Sequence, residues 1–308
     1  MKYQPKNLEL AKSLFEVTEL DDPRDDTDEL LERAEVLWAP LGFPVDEEKL
    51  DRCPALRALI SNTTSIPHID HEAASRHGVE VCALDDEQDF LETITPTAEH
   101  AMGLLMAAWR KIPAAHRDAC SGNWDRRNWG APRMLSRMRM GIIGYGRLGK
   151  KVAKVARALG MEVAYYDPGM EGSSASLNEL ASHSDVLSLH ASSTEQNRCL
   201  VSREVLEALP RGAVVINTAR GELLDTDALL ELLESGHLAA AALDTIDGEY
   251  FPGFAEQWKR HPVAKFAREH DNLLLTPHIG GSTLDAWSET ERRVILKAAD
   301  KLGLTVKA

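Results

Sequence analysis

Cysteine is scarce in this 308-residue chain, and the four present, Cys53, Cys82, Cys120 and Cys199, are scattered without C-x-x-C spacing. That distribution argues against a disulfide framework, offers no zinc site and fits reduced thiols, for which a cytoplasm is the simplest home. Positive charge is also short. Lys and Arg number 35 against 49 Asp and Glu, giving a net charge of −14 and a pI near 5.3. Such a chain has nothing to replace the condensed counterions of DNA or RNA, so a nucleic-acid partner is not expected, and an anionic ligand must be drawn in by local cations. No run of about 18 apolar residues exists to span a membrane, and the opening residues, MKYQPK, carry no apolar signal core. His, Cys and carboxylates nowhere gather at metal-ligand spacing, so no metal is expected. The acidic stretch at 21–28 lacks the glycine-punctuated spacing of a calcium loop and reads as solvated surface.

What is present is an ordinary globular composition, 44% hydrophobic and 27% charged, over a length that exceeds one compact domain and points to two. Residues 5–15 have apolar residues at helical spacing, with Pro5 suited to a first turn, so the pattern opens with a helix. Strands are predicted at 34–39, 56–61 and 79–84, with a helix over 70–76. Thr95 as N-cap and Pro96 at the first position begin the most persistent helical pattern. Its apolar residues cover more than one face, as expected of a helix joining two domains or two subunits. Trp124 and Trp129 then lie among five arginines between 126 and 139, read as an interdomain or inter-subunit surface. Later strands are predicted at 140–143, 162–166, 185–189, 213–216, 239–243 and 272–276, alternating with helices, and the chain closes with a helix at 284–302 and a short tail. Short strands alternating with helices indicate a parallel sheet.

The stretch from 141 to 167 is the most informative. GIIGYGRLG at 141–149 follows an apolar strand pattern and opens an amphipathic helix, and a second apolar run ends in Asp167, 18 residues after Gly149. Gly144 allows the tight turn, Gly146 lets the backbone approach a pyrophosphate, and Gly149 lets helix and strand pack closely. Asp167 can accept from both hydroxyls of an adenosine ribose and would repel a 2′-phosphate, so NAD is favoured over NADP.

Three later strand ends carry groups that could act together. NTARG at 217–221 sets Arg220 beside a turn glycine, where its guanidinium can grip a carboxylate bidentately and polarise an adjacent carbonyl. LDTIDGE at 243–249 supplies carboxylates, and TPH at 276–278 supplies an imidazole. If Glu249 accepts from one ring nitrogen of His278, it fixes the tautomer and raises the proton affinity, so that His278 can donate to a carbonyl oxygen. His190, ending a strand, is a second candidate; His100 lies at a helix start, and the other histidines read as surface or core.

The order and combination of GIIGYGRLG with Asp167, SDV at 184–186, INTARG at 216–221, AALD at 241–244 and TPHIGG at 276–281 resembles the D-isomer-specific 2-hydroxyacid dehydrogenases. The resemblance implies a Rossmann-type dinucleotide-binding domain over 96–282 and a smaller flavodoxin-like α/β substrate domain made of 1–95 and 283–308. It implies a homodimer built on the central domain. It also implies NAD-dependent hydride transfer on a small anionic 2-hydroxy or 2-keto acid, with Arg220, Glu249 and His278 catalytic. Cofactor contacts would come from Gly144, Tyr145, Gly146, Arg147, Leu148, Gly149, Asp167, His190, Thr218, Ala219, Asp244 and Gly280, with Asp244 on the nicotinamide carboxamide. Substrate contacts would come from Thr63, Thr64, Ser65, Arg220 and His278. Two other readings use the same motifs: a non-catalytic NAD(H)-sensing scaffold of the corepressor kind, and an enzyme oxidising a small anion such as formate or phosphite.

This chain departs from the family pattern in several places. The strand usually found before the first helix is shortened or missing. The glycine-rich loop expected after residue 60 reads NTTSIPH at 62–68, where hydroxyls of Thr63, Thr64 and Ser65 can assist a carboxylate. Glu249 is followed by Tyr250 rather than the usual proline, and the segment at 250–270 is longer than usual, able either to wall a pocket or to cover a surface.

Overall fold

A computed structural model describes residues 4–251 and 253–304; the first three residues, Pro252 within the longer segment, and the tail beyond 304 lie outside the described residues. In chain order the elements are α1 (Pro5–Leu14), α2 (Asp28–Arg33), β1 (Val36–Trp38), α3 (Glu47–Asp51), β2 (Ala58–Ile60), α4 (His71–Arg76), β3 (Glu80–Cys82) and α5 (Gln88–Leu91). They continue with α6 (Pro96–Trp109), α7 (Ile112–Cys120), β4 (Arg139–Ile143), α8 (Arg147–Ala158), β5 (Glu162–Tyr166), α9 (Leu177–Ser182) and β6 (Val186–Leu189). The remainder are α10 (Arg203–Ala208), β7 (Ala213–Asn217), α11 (Thr226–Glu234), β8 (Leu238–Leu243), α12 (Phe254–Gln257), α13 (Pro262–Glu269), β9 (Leu273–Leu275) and α14 (Leu284–Lys301). The chain folds as two compact units, Met1–Ile94 with Ser282–Ala308, and Thr95–Gly281.

The first unit is built on a parallel sheet in the order β1-β2-β3. Alternation along β2 sends Leu59 to one apolar cluster and Ala58 and Ile60 to the other, and the second cluster is closed by Val294 and Ala298 of α14. Among the described residues no strand precedes α1. That helix is instead fixed to α14 by a buried polar pair: Asn7 Nδ2 donates to Glu291 Oε2 at 3.0 Å and to the Ser288 carbonyl at 2.8 Å. Helix α4 begins at a capping Asp70, whose carboxylate accepts from the Ala73 N–H.

The second unit holds six parallel strands in the order β5-β4-β6-β7-β8-β9. Every residue of β6 and β7 is buried, as expected where helices cover both faces. Ala213 and Val215 of β7 face the cluster containing α10, α11 and α13 residues, while Val214 and Ile216 face the cluster containing α6 and α8 residues. The order reverses at β4, which pairs with both β5 and β6, so a crevice opens at the carboxyl ends of β4 and β6. The broad apolar character of α6 has its cause here: Ala98, Ala101, Met102, Leu104 and Leu105 are buried against strands and α8. Thr95 does not cap this helix through a backbone N–H; its hydroxyl bonds to the Glu99 carboxylate instead. Among the described residues no helix is long and apolar enough to cross a membrane.

The α8 to β4 packing gives a sharp test. A Cβ on Gly149 would stand 2.1 Å from the Gly144 carbonyl oxygen, whereas a Cβ on Gly103 in α6 meets no atom within 4 Å. Gly149→Ala is expected to lose about 1–3 kcal/mol through overpacking, and Gly103→Ala to gain about 0.5–1 kcal/mol through helix propensity, both read from denaturant midpoints.

Candidate active site

The turn after β4 is shaped by what surrounds it. Gly144 has φ +86°, and a side chain there would reach within 2.5 Å of the Ala191 nitrogen after β6. Gly146 is the residue before α8, and space above it is open. Arg147 and Leu148 form the first turn of α8, whose leading N–H groups lack intrahelical partners. At the carboxyl end of β5, Asp167 Oδ2 accepts from the Tyr145 N–H at 2.9 Å, and the Asp167 N–H donates to Ser173 Oγ at 3.0 Å. Tyr145 stacks on Tyr165 with ring centroids 3.7 Å apart and planes within 5°. Turn and carboxylate are therefore one fixed unit.

Two buried hydroxyls at the neighbouring strand ends, Thr218 Oγ1 after β7 and Thr245 Oγ1 after β8, have no hydrogen-bond partner within the protein. Orphaned groups of this kind are uncommon and call for a ligand or water. A helix N-terminus after a glycine turn, the Asp167 carboxylate at the end of β5 and an unpaired hydroxyl together fit a dinucleotide.

His190 bonds to Ser188 Oγ through Nε2 at 2.8 Å, and its Nδ1 is buried without a partner. Desolvation pulls its ionisation down to about 4, so near neutral pH it is an uncharged ring and a poor proton carrier. The second histidine of interest is set quite differently. His278 Nδ1 lies 2.7 Å from Glu249 Oε1 and 2.8 Å from the Tyr250 hydroxyl. Its backbone is in the left-handed region at φ +51°, a strain persisting only where surroundings over-determine it. Here the His278 N–H donates to the carbonyls of Asp244 at 2.8 Å and Thr276 at 3.0 Å.

Asp244, closing β8, organises the same loop. Its carboxylate accepts from Thr276 Oγ1 at 2.5 Å, the Ile279 N–H at 2.9 Å and the Gly280 N–H at 2.8 Å, with His100 Nε2 3.3 Å away. A Cβ on Gly280 would come within 2.7 Å of that carboxylate. Three of the donors to Asp244 thus come from the loop that carries His278.

Arg220 follows β7, half-buried, with Nη1 on the Ala219 carbonyl at 2.7 Å and its own carbonyl accepting from Asn217 Nδ2 at 2.8 Å. Asn217 Oδ1 also accepts from the Ala219 N–H at 3.0 Å, which fixes the turn. The next residue must be glycine: a Cβ on Gly221 would stand 2.0 Å from the Asp247 nitrogen. That close approach joins the loop of Arg220 to the loop of Glu249.

The residues singled out in sequence therefore fall into distinct groups. Arg220, Glu249, His278 and Asp244 lie on linked loops at the carboxyl ends of β7, β8 and β9, while Gly144, Asp167 and His190 ring the ends of β4, β5 and β6. Thr63, Thr64 and Ser65 belong to the first unit, in the loop after β2, where Thr63 Oγ1 donates to the Ser65 carbonyl at 3.0 Å and pairs with Ser61 Oγ at 3.0 Å. Sequence reasoning did not assign a role to Tyr250, Thr276, Thr245 or His100. Tyr250 stood out as a departure from the family's proline, a signal that could have found it. His100 and Thr276 are tied by a contact spanning 176 residues, which no local pattern discloses.

Comparison with known proteins covers both units. A family model described as D-isomer specific 2-hydroxyacid dehydrogenase, NAD binding domain, matches residues 102–280, and its companion catalytic domain matches residues 1–90. D-3-phosphoglycerate dehydrogenase of Methanocaldococcus jannaschii is 32% identical over 92% of this chain, although the chain spans only 53% of that protein's length. Glyoxylate reductase of Aeropyrum pernix is 30% identical over 97% of this chain and 89% of its own. The structure of NAD-dependent formate dehydrogenase from Staphylococcus aureus in complex with NAD aligns with a TM-score of 0.75 and 28% identity, covering 91% of this chain and 82% of that one. NAD is the cofactor of the central unit. The chain belongs to the D-isomer-specific 2-hydroxyacid dehydrogenase family.

Proposed function

We propose that this protein reduces a small 2-keto acid, or oxidises the matching D-2-hydroxy acid, with Arg220, Glu249 and His278 performing the chemistry. The observation that carries the reading is the Glu249 to His278 pair at 2.7 Å, on a loop held against that of Arg220 by the Gly221 approach. The guanidinium of Arg220 orients the substrate carboxylate and polarises its carbonyl. Glu249 accepts from Nδ1–H, which leaves Nε2 as the nitrogen that gives its proton to the carbonyl oxygen. NADH, when bound, supplies the hydride that arrives at the carbonyl carbon. In the oxidative direction Nε2 takes the hydroxyl proton back.

The other residues act by placement. Gly144, Gly146 and Gly149, with Tyr145, Arg147 and Leu148, form the turn for the pyrophosphate, and Asp167 meets the adenosine ribose. Thr218, Ala219 and His190 border the cofactor, with the unpaired Thr218 hydroxyl as its donor. Asp244, with Gly280, holds the His278 loop in place beside the nicotinamide. Thr63, Thr64 and Ser65 offer hydroxyls suited to a carboxylate. A cytoplasmic homodimer is the setting that fits the free cysteines and the family resemblance.

Two substitutions test these roles. His278→Gln is expected to lower kcat by about 10²–10⁴-fold while NADH binding, followed by fluorescence quenching, stays within twofold of wild type; near-wild-type turnover would remove His278 from the mechanism. Asp167→Ala is expected to raise the KM for NADH about tenfold, equivalent to one lost charge-assisted hydrogen bond, and to narrow the preference over NADPH. An unchanged ratio of kcat/KM for the two cofactors would contradict the assignment.

A further inference from the structure

Residue 250 sits at the site and departs from the family pattern. The Tyr250 hydroxyl is 2.8 Å from His278 Nδ1, the same nitrogen that lies 2.7 Å from Glu249 Oε1, and the phenol ring is tilted 46° to the imidazole at 5.7 Å. Nδ1 has a single in-plane position, filled either by a hydrogen or by a lone pair. An ionised carboxylate only accepts, so Glu249 is satisfied solely when Nδ1 carries hydrogen. A phenol also donates, and Tyr250 keeps its hydrogen: burial, then the Glu249 charge, push its ionisation well up, with Arg220 acting in the opposite sense.

We propose that Tyr250 is a positioning residue that competes with Glu249 for Nδ1 of His278, donating to the bare nitrogen and favouring the neutral imidazole whose hydrogen is on Nε2. The inference rests on the proposed acid/base role of His278. Its consequence is a lower pH at which His278 loses its positive charge, set against the opposite pull of Glu249. A full O–H···N bond to the bare nitrogen outweighs what the phenol gains as second acceptor of an N–H already given to a carboxylate, because one hydrogen is then shared between two oxygens. The other charged groups acting on Tyr250 are Arg220, Asp244 and Glu222, of which Arg220 alone opposes the upward push. Asp244 is engaged by Thr276, Ile279 and Gly280, with His100 of α6 beside it, and Arg220 contacts the Ala219 carbonyl.

The experiment pairs two readouts on wild type, Tyr250→Phe and Glu249→Gln. The first is the pH profile of kcat/KM for 2-keto acid reduction. The second is a ¹⁵N NMR titration of histidine-labelled protein, with the His278 signal identified by its loss in His278→Gln. Tyr250→Phe is expected to move both midpoints upward by roughly half a unit to one unit, the worth of one neutral hydrogen bond, and to enrich the Nδ1–H tautomer. Glu249→Gln is expected to move them downward. A Tyr250→Phe midpoint that is unmoved or lower overturns the proposal, the lower value marking Tyr250 as a second acceptor. The NMR titration needs no turnover, so an upward shift in a protein inactive on every keto acid would uphold the Tyr250 contact and count against the enzymatic reading. Tyr250→Leu, which also lacks the hydroxyl, repeats the measurement should the phenylalanine variant fail to show a cooperative melt.

Discussion

Asp244 carries a charge withdrawn almost wholly from water, its side chain 1% exposed, and the site depends on how that charge is satisfied. Burying a carboxylate is costly unless donors replace its hydration. Here a threonine hydroxyl and two consecutive backbone N–H groups do so, and all of them come from the loop after β9. Bending the chain to aim those donors at one carboxylate forces His278 into the left-handed region, a conformation costing on the order of 1–3 kcal/mol. The strain is held by the charge-assisted bonds, and its product is an imidazole whose Nδ1 faces Glu249 and Tyr250. Removing water from one residue at a strand end thus determines the orientation of another in the loop after the next strand.

Much of this was legible in sequence because the signals were local. The alternation of apolar strands with amphipathic helices, the glycine turn at 144–149 and the carboxylate of Asp167 each state their geometry within a few residues, and β4, α8 and β5 lie where that pattern put them. Gly221 was read as a turn glycine beside Arg220; the structure adds a close approach to the Asp247 backbone. The strand ends drifted by one or two residues, as at β3 and β9, because hydrogen bonding rather than hydrophobicity decides where a ladder stops.

What was not legible depended on distant partners. The buried pair of Asn7 and Glu291 joins positions 284 residues apart, and nothing in the polar α1 sequence announces that one asparagine is interior. The bonds from Asp244 to the loop after β9 were hidden for the same reason, since they join residues 32 to 36 positions apart. Helix α7, for which no element is predicted from sequence, buries only Ala114 of its nine residues. Thr95 illustrates the converse. Its identity predicted a cap, but a glutamate one turn on took the hydroxyl.

The central claim is that these linked loops perform proton and hydride transfer on a 2-keto acid. Its most direct test is to follow NADH absorbance with the wild-type protein across a panel of 2-keto acids, phosphorylated and phosphonate-bearing members included, and in the oxidative direction with NAD and formate or phosphite, and to resolve any hydroxy-acid product by chiral chromatography. The account predicts turnover of at least one keto acid to a single D-2-hydroxy acid. Tight NADH binding with no turnover, as a cofactor-sensing scaffold would give, or activity confined to formate or phosphite, would contradict it.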